Sequence, residues 1–170
     1  MDKEEHNRTS KIHFYPIGLS FRNEVLELGK GGPIHSMNAN SNATSFKMLT
    51  LSSIYRILSS TMHGENATID YLKIDIESSE WDVIPELIES GVLDRVRQMS
   101  MEIHLSNQGS QTLAELRKSA KLLRRLETEG DMIRFDSKPN GISSATFTEI
   151  GNMKGYFAFE LAWYNKKYHH

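Results

Sequence analysis

The chain has 170 residues, enough for one domain of ordinary size, and its 38% hydrophobic and 25% charged content is that of a soluble folded chain. Twenty Lys and Arg against 22 Asp and Glu leave a net charge of −2, which removes any whole-chain attraction to nucleic acid or an anionic membrane. The absence of Cys excludes a disulfide framework and a thiolate zinc site, no apolar run is long enough to span a bilayer, and the opening MDKEEHNRTS lacks the apolar core of a signal peptide.

Residues 1–10 are polar and read as a flexible N-terminus, residues 11–165 as one α/β domain, and residues 166–170 as a C-terminal tail. Lys11 to Ser20 predicts a strand, with Ile12, Phe14 and Ile17 apolar and a Pro16-x-Gly18 turn near its end. Arg22 to Phe46, rich in Gly and Asn, reads as a loop. Leu51 to Ser60 predicts a helix, with Leu51, Ile54, Tyr55 and Leu58 at helical spacing and Thr50 as N-cap. Ile69 to Glu77 (IDYLKIDIE) predicts a strand, followed by a helix start at Ser78-Ser79-Glu80-Trp81-Asp82. That helix carries Trp81, Ile84, Leu87 and Ile88 on one face and stops at Gly91; Pro85 predicts a kink or a start nearer Asp82. Val96 to Leu105 predicts another strand. Gln111 to Glu129 predicts the longest helix, with Leu113, Leu116, Ala120, Leu123 and Leu126 as its stripe and Gly130 as its cap. Met132 to Phe135 and Gly155 to Tyr164 predict late strands.

Strands and helices in this order predict an α/β fold with a mostly parallel sheet, in which ligands bind at the carboxyl ends of the strands. Side chains alternate along a strand, so Lys73, Asp75 and Glu77 share one face, and Ser100, Glu102 and His104 share one face of the next strand. If these strands are parallel neighbours, Asp75, Glu77, Glu102 and His104 converge at one end of the sheet. Such a cluster suits general-base work, hydroxyl binding or a divalent cation. The structural alternative is that Asp75 and Glu77 cap the following helix while Glu102 pairs with Lys73.

Val25-Leu26-Glu27-Leu28-Gly29-Lys30-Gly31-Gly32 reads like a strand and acid entering a nucleotide-binding glycine loop. Spacing argues that Glu27, Gly29 and Gly31 are a decoy. A first strand there requires about 65 residues before the strand at Ile69, and only 35 lie between Gly32 and Thr68. Three Asn-x-Ser/Thr sequons, at Asn7, Asn42 and Asn66, are compatible with a secretory route, and the compartment stays open. The basic residues Lys118, Lys121, Arg124 and Arg125 alternate with Glu115, Glu127 and Glu129, the pattern of a solvated helix face.

The string Tyr71-Leu72-Lys73-Ile74-Asp75-Ile76-Glu77-Ser78-Ser79-Glu80-Trp81 resembles the L-K-I-D-I-E-G/S-x-E signature of FkbM-type methyltransferases. It is most similar to an animal branch of methyltransferase-like proteins, in which a Glu-Trp pair follows the signature. Position 78 is Ser, where many members have Gly. Further stretches are similar in order: Phe14 to Leu19, Met48 to Leu51, Glu102-Ile103-His104-Leu105, and Leu161 to Asn165. The resemblance implies a Rossmann-like class I S-adenosylmethionine-dependent methyltransferase fold of three layers. It places Asp75 and Glu77 beside cofactor and substrate, and makes the strand at Lys11 the third of seven. The first strands, the glycine-rich cofactor loop and the ribose-binding acid would then precede residue 1.

The reading is a methyltransferase domain that O-methylates a small-molecule or glycan hydroxyl. Asp75 or His104 would be the base, with Glu77 and Glu102 orienting the acceptor or a cation, and the fragment by itself could be inactive. S-adenosylmethionine is the implied cofactor, bound poorly by this chain alone, and no resident metal is expected. Two other readings stand beside it. One is a non-catalytic interaction module with an acidic crevice and a partner at an exposed sheet edge, betrayed by exposed apolar residues on the strand at Lys11. The other is a divalent-cation-dependent enzyme. No nucleic-acid partner and no membrane span are expected.

Overall fold

A computed structural model describes residues 12–27, 45–64, 66–105 and 112–169. The expectations for Lys11, for the frayed N-terminus, for Gly29, Gly31 and Gly32, and for the sequons at Asn7 and Asn42 lie outside these residues. In chain order the elements are β1 (Ile17–Leu19), β2 (Glu24–Glu27), β3 (Ser45–Leu49), α1 (Leu51–Leu58) with a π turn (Ser59–His63), β4 (Ile69–Ile74), α2 (Glu80–Glu89), β5 (Val96–His104), α3 (Leu113–Thr128), β6 (Met132–Pro139), β7 (Ser144–Phe147), β8 (Met153–Tyr156) and β9 (Ala158–Asn165).

The main sheet has the order β4-β5-β9-β6. β4 and β5 are parallel, joined through α2, whereas β9 runs antiparallel to both β5 and β6. The sheet is therefore mixed, which corrects the expectation of a mostly parallel one. The physical reason is the connection. Parallel neighbours need a long crossover, usually a helix, and between β6 and β9 the chain makes the β7–β8 hairpin instead. A second sheet of order β1-β3-β2 has β1 parallel and β2 antiparallel to β3. Residues 12–16 are not strand, and Ile12, Phe14 and Tyr15 are exposed.

Alternation sorts the main sheet into two faces. Ile74, Met99, Met101, Leu161 and Trp163 are buried and pack with Val83, Ile84 and Leu87 of α2 and Leu126 of α3. The opposite face, with Tyr71, Lys73 and Gln98, is exposed.

The helix ends follow local chemistry. Thr50 caps α1, accepting from the Ser53 backbone N–H. Thr112 caps α3 in a reciprocal box with Glu115, and the Thr112 backbone N–H holds the Glu115 carboxyl below its ordinary range. Ser79 precedes α2 without a side-chain cap bond, and Pro85 lies inside that helix. Gly91, at φ +72°, ends the segment in the left-handed region. Two expectations for α3 need correction. Its buried residues are Ser119 and Leu126, while Leu113 and Ala120 of the anticipated stripe are exposed. Gly130 is not left-handed: the helix ends on Glu129 in the right-handed region, and the positive φ, +52°, falls at Asp131. Gly130 is needed for close approach instead, because a Cβ there would sit 2.6 Å from the Leu126 carbonyl oxygen and 2.8 Å from Leu93 Cδ1.

The basic side of α3 is solvated, as its charge alternation predicts. Arg125 donates to Glu129 at 2.9 Å and lies 3.7 Å from Glu89. The hydrogen bond to Glu129 raises the guanidinium pKa, and the same bond lowers that of Glu129. After β9, the turn Lys166–Tyr168 is pinned by the Tyr168 hydroxyl donating to the Asp94 carbonyl at 2.7 Å.

Candidate active site

The site is built where β4 and β5 end. Strand β4 stops at Ile74, so Asp75 and Glu77 sit in the turn to α2 rather than in the strand, as alternation had suggested. Glu77 and Ser78 adopt φ of +52° and +79°, two successive left-handed residues with side chains. Such geometry costs on the order of 1–3 kcal/mol per residue and persists only where its surroundings enforce it. Here the Ile76 backbone N–H donates to Glu80 Oε1 at 3.0 Å, and the Ser79 N–H to the Ile76 carbonyl at 3.3 Å.

β5 runs parallel beside β4 and delivers Glu102 and His104 to the same end. His104 Nε2 lies 3.8 Å from Glu77 Oε2 and 3.8 Å from Glu102 Oε1. Glu102 Oε1 accepts from Asn140 Nδ2 at 2.8 Å. Donor atoms of Asp75, Glu77 and His104 all lie within 4.8 Å of one another. Of the four residues singled out in the sequence, Asp75, Glu77 and Glu102 thus gather around the imidazole of the fourth, His104. Lys73 does not pair with Glu102: its Nζ is 3.9 Å from Asp75 and 4.0 Å from Glu160, because Glu160 of β9 stands opposite Glu102. Exposure differs across the cluster. The Glu77 side chain is 78% exposed, whereas those of His104 and Glu102 are 14% and 12% exposed. Carboxylates at this degree of access can hold a hydroxyl or a cation, and the sheltered imidazole can exchange a proton. The oxygen and nitrogen donors of Asp75, Glu77 and His104 also fit a divalent ion such as Mn²⁺ or Zn²⁺.

Two residues escaped the sequence reading. Glu80, read as acid in the first turn of α2 and as part of the family resemblance but given no role in the site, is fully buried behind His104. Asn140 reaches Glu102 from 38 residues away, and no local pattern announces it. Trp81 ties the site together, its indole N–H donating to the His104 carbonyl at 2.7 Å. Of the glycine stretch, only Val25 to Glu27 fall among the described residues. Glu27 ends β2, which is antiparallel to β3, so β2 does not open a βαβ unit with it. Among the described residues no glycine-rich loop joins a strand to a helix.

The model of a family described as "Methyltransferase domain" matches residues 3–154. The chain belongs to this methyltransferase family. Among curated relatives, the human "Probable methyltransferase-like protein 24" is 31% identical over 104 residues, covering 59% of this chain and 28% of that protein. The rat protein of the same name is 51% identical over 37 residues, covering 22% of this chain and 10% of that protein. The matched segment thus spans under a third of the length of either relative. No solved structure matches the chain. As a methyltransferase domain it is a mixed α/β structure, and no described helix is long and apolar enough to cross a membrane.

Proposed function

We propose that this methyltransferase domain is of the FkbM type, Rossmann-like, and transfers a methyl group from S-adenosylmethionine to a hydroxyl of a small molecule or glycan. The observation that carries this reading is the convergence of Asp75, Glu77 and His104 at the carboxyl ends of the parallel pair β4 and β5, within a chain of the methyltransferase family. In open α/β sheets that is where ligands bind. When bound, S-adenosylmethionine supplies an electrophilic methyl on sulfur. This chain's part would be to hold the acceptor hydroxyl at the ends of β4 and β5 and to take its proton at His104 Nε2 or Asp75. Glu77 and Glu102 orient the acceptor's remaining hydroxyls. On the spacing argument that makes Glu27, Gly29 and Gly31 a decoy, this chain alone binds S-adenosylmethionine more weakly than micromolar.

The test uses tritiated-methyl S-adenosylmethionine at millimolar concentration with a panel of monosaccharides and small alcohols. Ether-linked label is expected, with the rate falling about 10²-fold or more in His104→Gln or Asp75→Asn. No transfer, or transfer indifferent to both substitutions, refutes the reading. Micromolar binding in calorimetry would refute the weak-binding clause.

A second reading, a divalent-cation enzyme, is favoured by the three donor atoms lying within 4.8 Å. Manganese titration of the wild type against Asp75→Asn separates the two, since loss of a true ligand abolishes binding.

A further inference from the structure

A buried ionisable group needs a partner, because taking an unpaired polar atom out of water costs several kcal/mol. Among the described residues, three buried side-chain polar atoms have no hydrogen-bond partner: Glu80 Oε2, Glu86 Oε2 and His104 Nδ1. Two of these belong to adjoining side chains, with His104 Nδ1 standing 3.4 Å from Glu80 Oε1. The Glu80 side chain is 0% exposed and that of His104 14% exposed. Glu80 is the first residue of α2, where the positive end of the helix dipole favours a carboxylate. Its Oε1 already accepts the Ile76 N–H, so a carboxylate there still lacks a donor, and the ring nitrogen in front of it still lacks a partner.

From this juxtaposition we infer that Glu80 is a positioning residue that holds His104 in the Nδ1–H tautomer, leaving the Nε2 lone pair facing Glu77 and Glu102. The inference deepens the role proposed for His104 as proton acceptor. A buried carboxylate behind an imidazole fixes the ring's orientation and tautomer and stabilises the imidazolium once it forms. The 3.4 Å separation is longer than a tight N–H···O bond, and such contacts shorten when the substrate complex forms. The Trp81 indole N–H, bonded to the His104 carbonyl, holds the backbone of His104 against the first turn of α2, so ring and carboxylate keep their register. The reverse arrangement, with a protonated Glu80 donating to Nδ1, would put the ring proton on Nε2 and close that nitrogen to a hydroxyl proton. The two arrangements are spectroscopically distinct.

The experiment is a long-range ¹H–¹⁵N correlation spectrum of the ¹⁵N-histidine-labelled chain at pH 8, with His104 assigned by comparison with His104→Gln. The expected result is Nδ1 protonated and Nε2 bare. Glu80 Oε1 both accepts the Ile76 N–H and faces Nδ1, so in Glu80→Gln a side-chain carbonyl in that place keeps the Nδ1–H tautomer, whereas in Glu80→Ala the acceptor behind the ring is gone and the tautomer converts toward Nε2–H. A wild-type spectrum showing Nε2–H overturns the inference without any variant, and so does a Glu80→Ala spectrum identical to wild type. Methyl transfer is read separately. An Nδ1–H tautomer without transfer sinks only the proposed reaction, whereas transfer with an Nε2–H tautomer sinks only the dyad. Where both hold, Glu80→Ala lowers the transfer rate about 10²-fold or more.

Discussion

Trp81→Phe isolates the bond that ties the start of α2 to the end of β5. The substitution removes one donor, the indole N–H that meets the His104 carbonyl at 2.7 Å, and shrinks a half-buried ring packed against the core. A neutral hydrogen bond contributes about 0.5–1.5 kcal/mol net, and the lost apolar contact adds roughly another 1 kcal/mol. The sum is about 2 kcal/mol. For a domain of this size that lowers Tm by about 4–8 °C, read by urea and thermal unfolding of the chain. Tyr71→Phe is the control, because it also removes one polar group from an aromatic ring. Tyr71 is 59% exposed and its hydroxyl meets Ser100 Oγ at 2.6 Å on the open face of the sheet. Its loss is expected within about 0.5 kcal/mol of wild type. If the two variants are equally stable, the strut between α2 and β5 is not what holds Glu80 against His104.

Three further outcomes follow from the same geometry. Gly130→Ala should destabilise by about 1–3 kcal/mol in urea unfolding, because the new Cβ meets the Leu126 carbonyl oxygen at 2.6 Å and that backbone cannot swing aside. Leu126→Ala should cost about 2–5 kcal/mol and Leu113→Ala under about 1 kcal/mol, since Leu126 is fully buried and Leu113 is 46% exposed; equal losses would mean that α3 faces the core through another stripe. The pKa of Glu115 is lowered in the folded chain, so its contribution is complete above the ordinary carboxylate range and is lost as pH falls through the folded value. Stability measured from about pH 6 to 3 should therefore decline less steeply in Glu115→Gln than in wild type, and parallel curves would refute the cap assignment.

Much of the site was legible because its parts are close together in sequence or share a strand. The alternation of Glu102 and His104 against Met101 and Ile103 is a property of one strand, and the sheet keeps it: the methionine and isoleucine are buried, while the other two are only partly covered. The adjacency of β4 and β5 followed from the helix between them, since a short crossover returns the chain beside the strand it left. The end of β4 was less legible. Alternation extended the strand through Glu77, whereas Glu80 captures the Ile76 N–H from the next helix and turns the chain early. Short strands such as β3 and β7 carry too few residues for a period to register, and they exist through their partners β1, β2 and β8.

By itself, then, the sequence determined what local chemistry can decide: the caps at Thr50 and Thr112, the two-residue period of β5, and the stop at Gly91. Tertiary structure alone decided the insertion of β9 between β5 and β6, the Ser119–Leu126 face of α3, the reach of Asn140 to Glu102, and the burial of Glu80 behind His104. The division has one physical cause. Caps and periods depend on atoms a few residues apart, whereas burial and strand order depend on which distant surface removes a side chain from water.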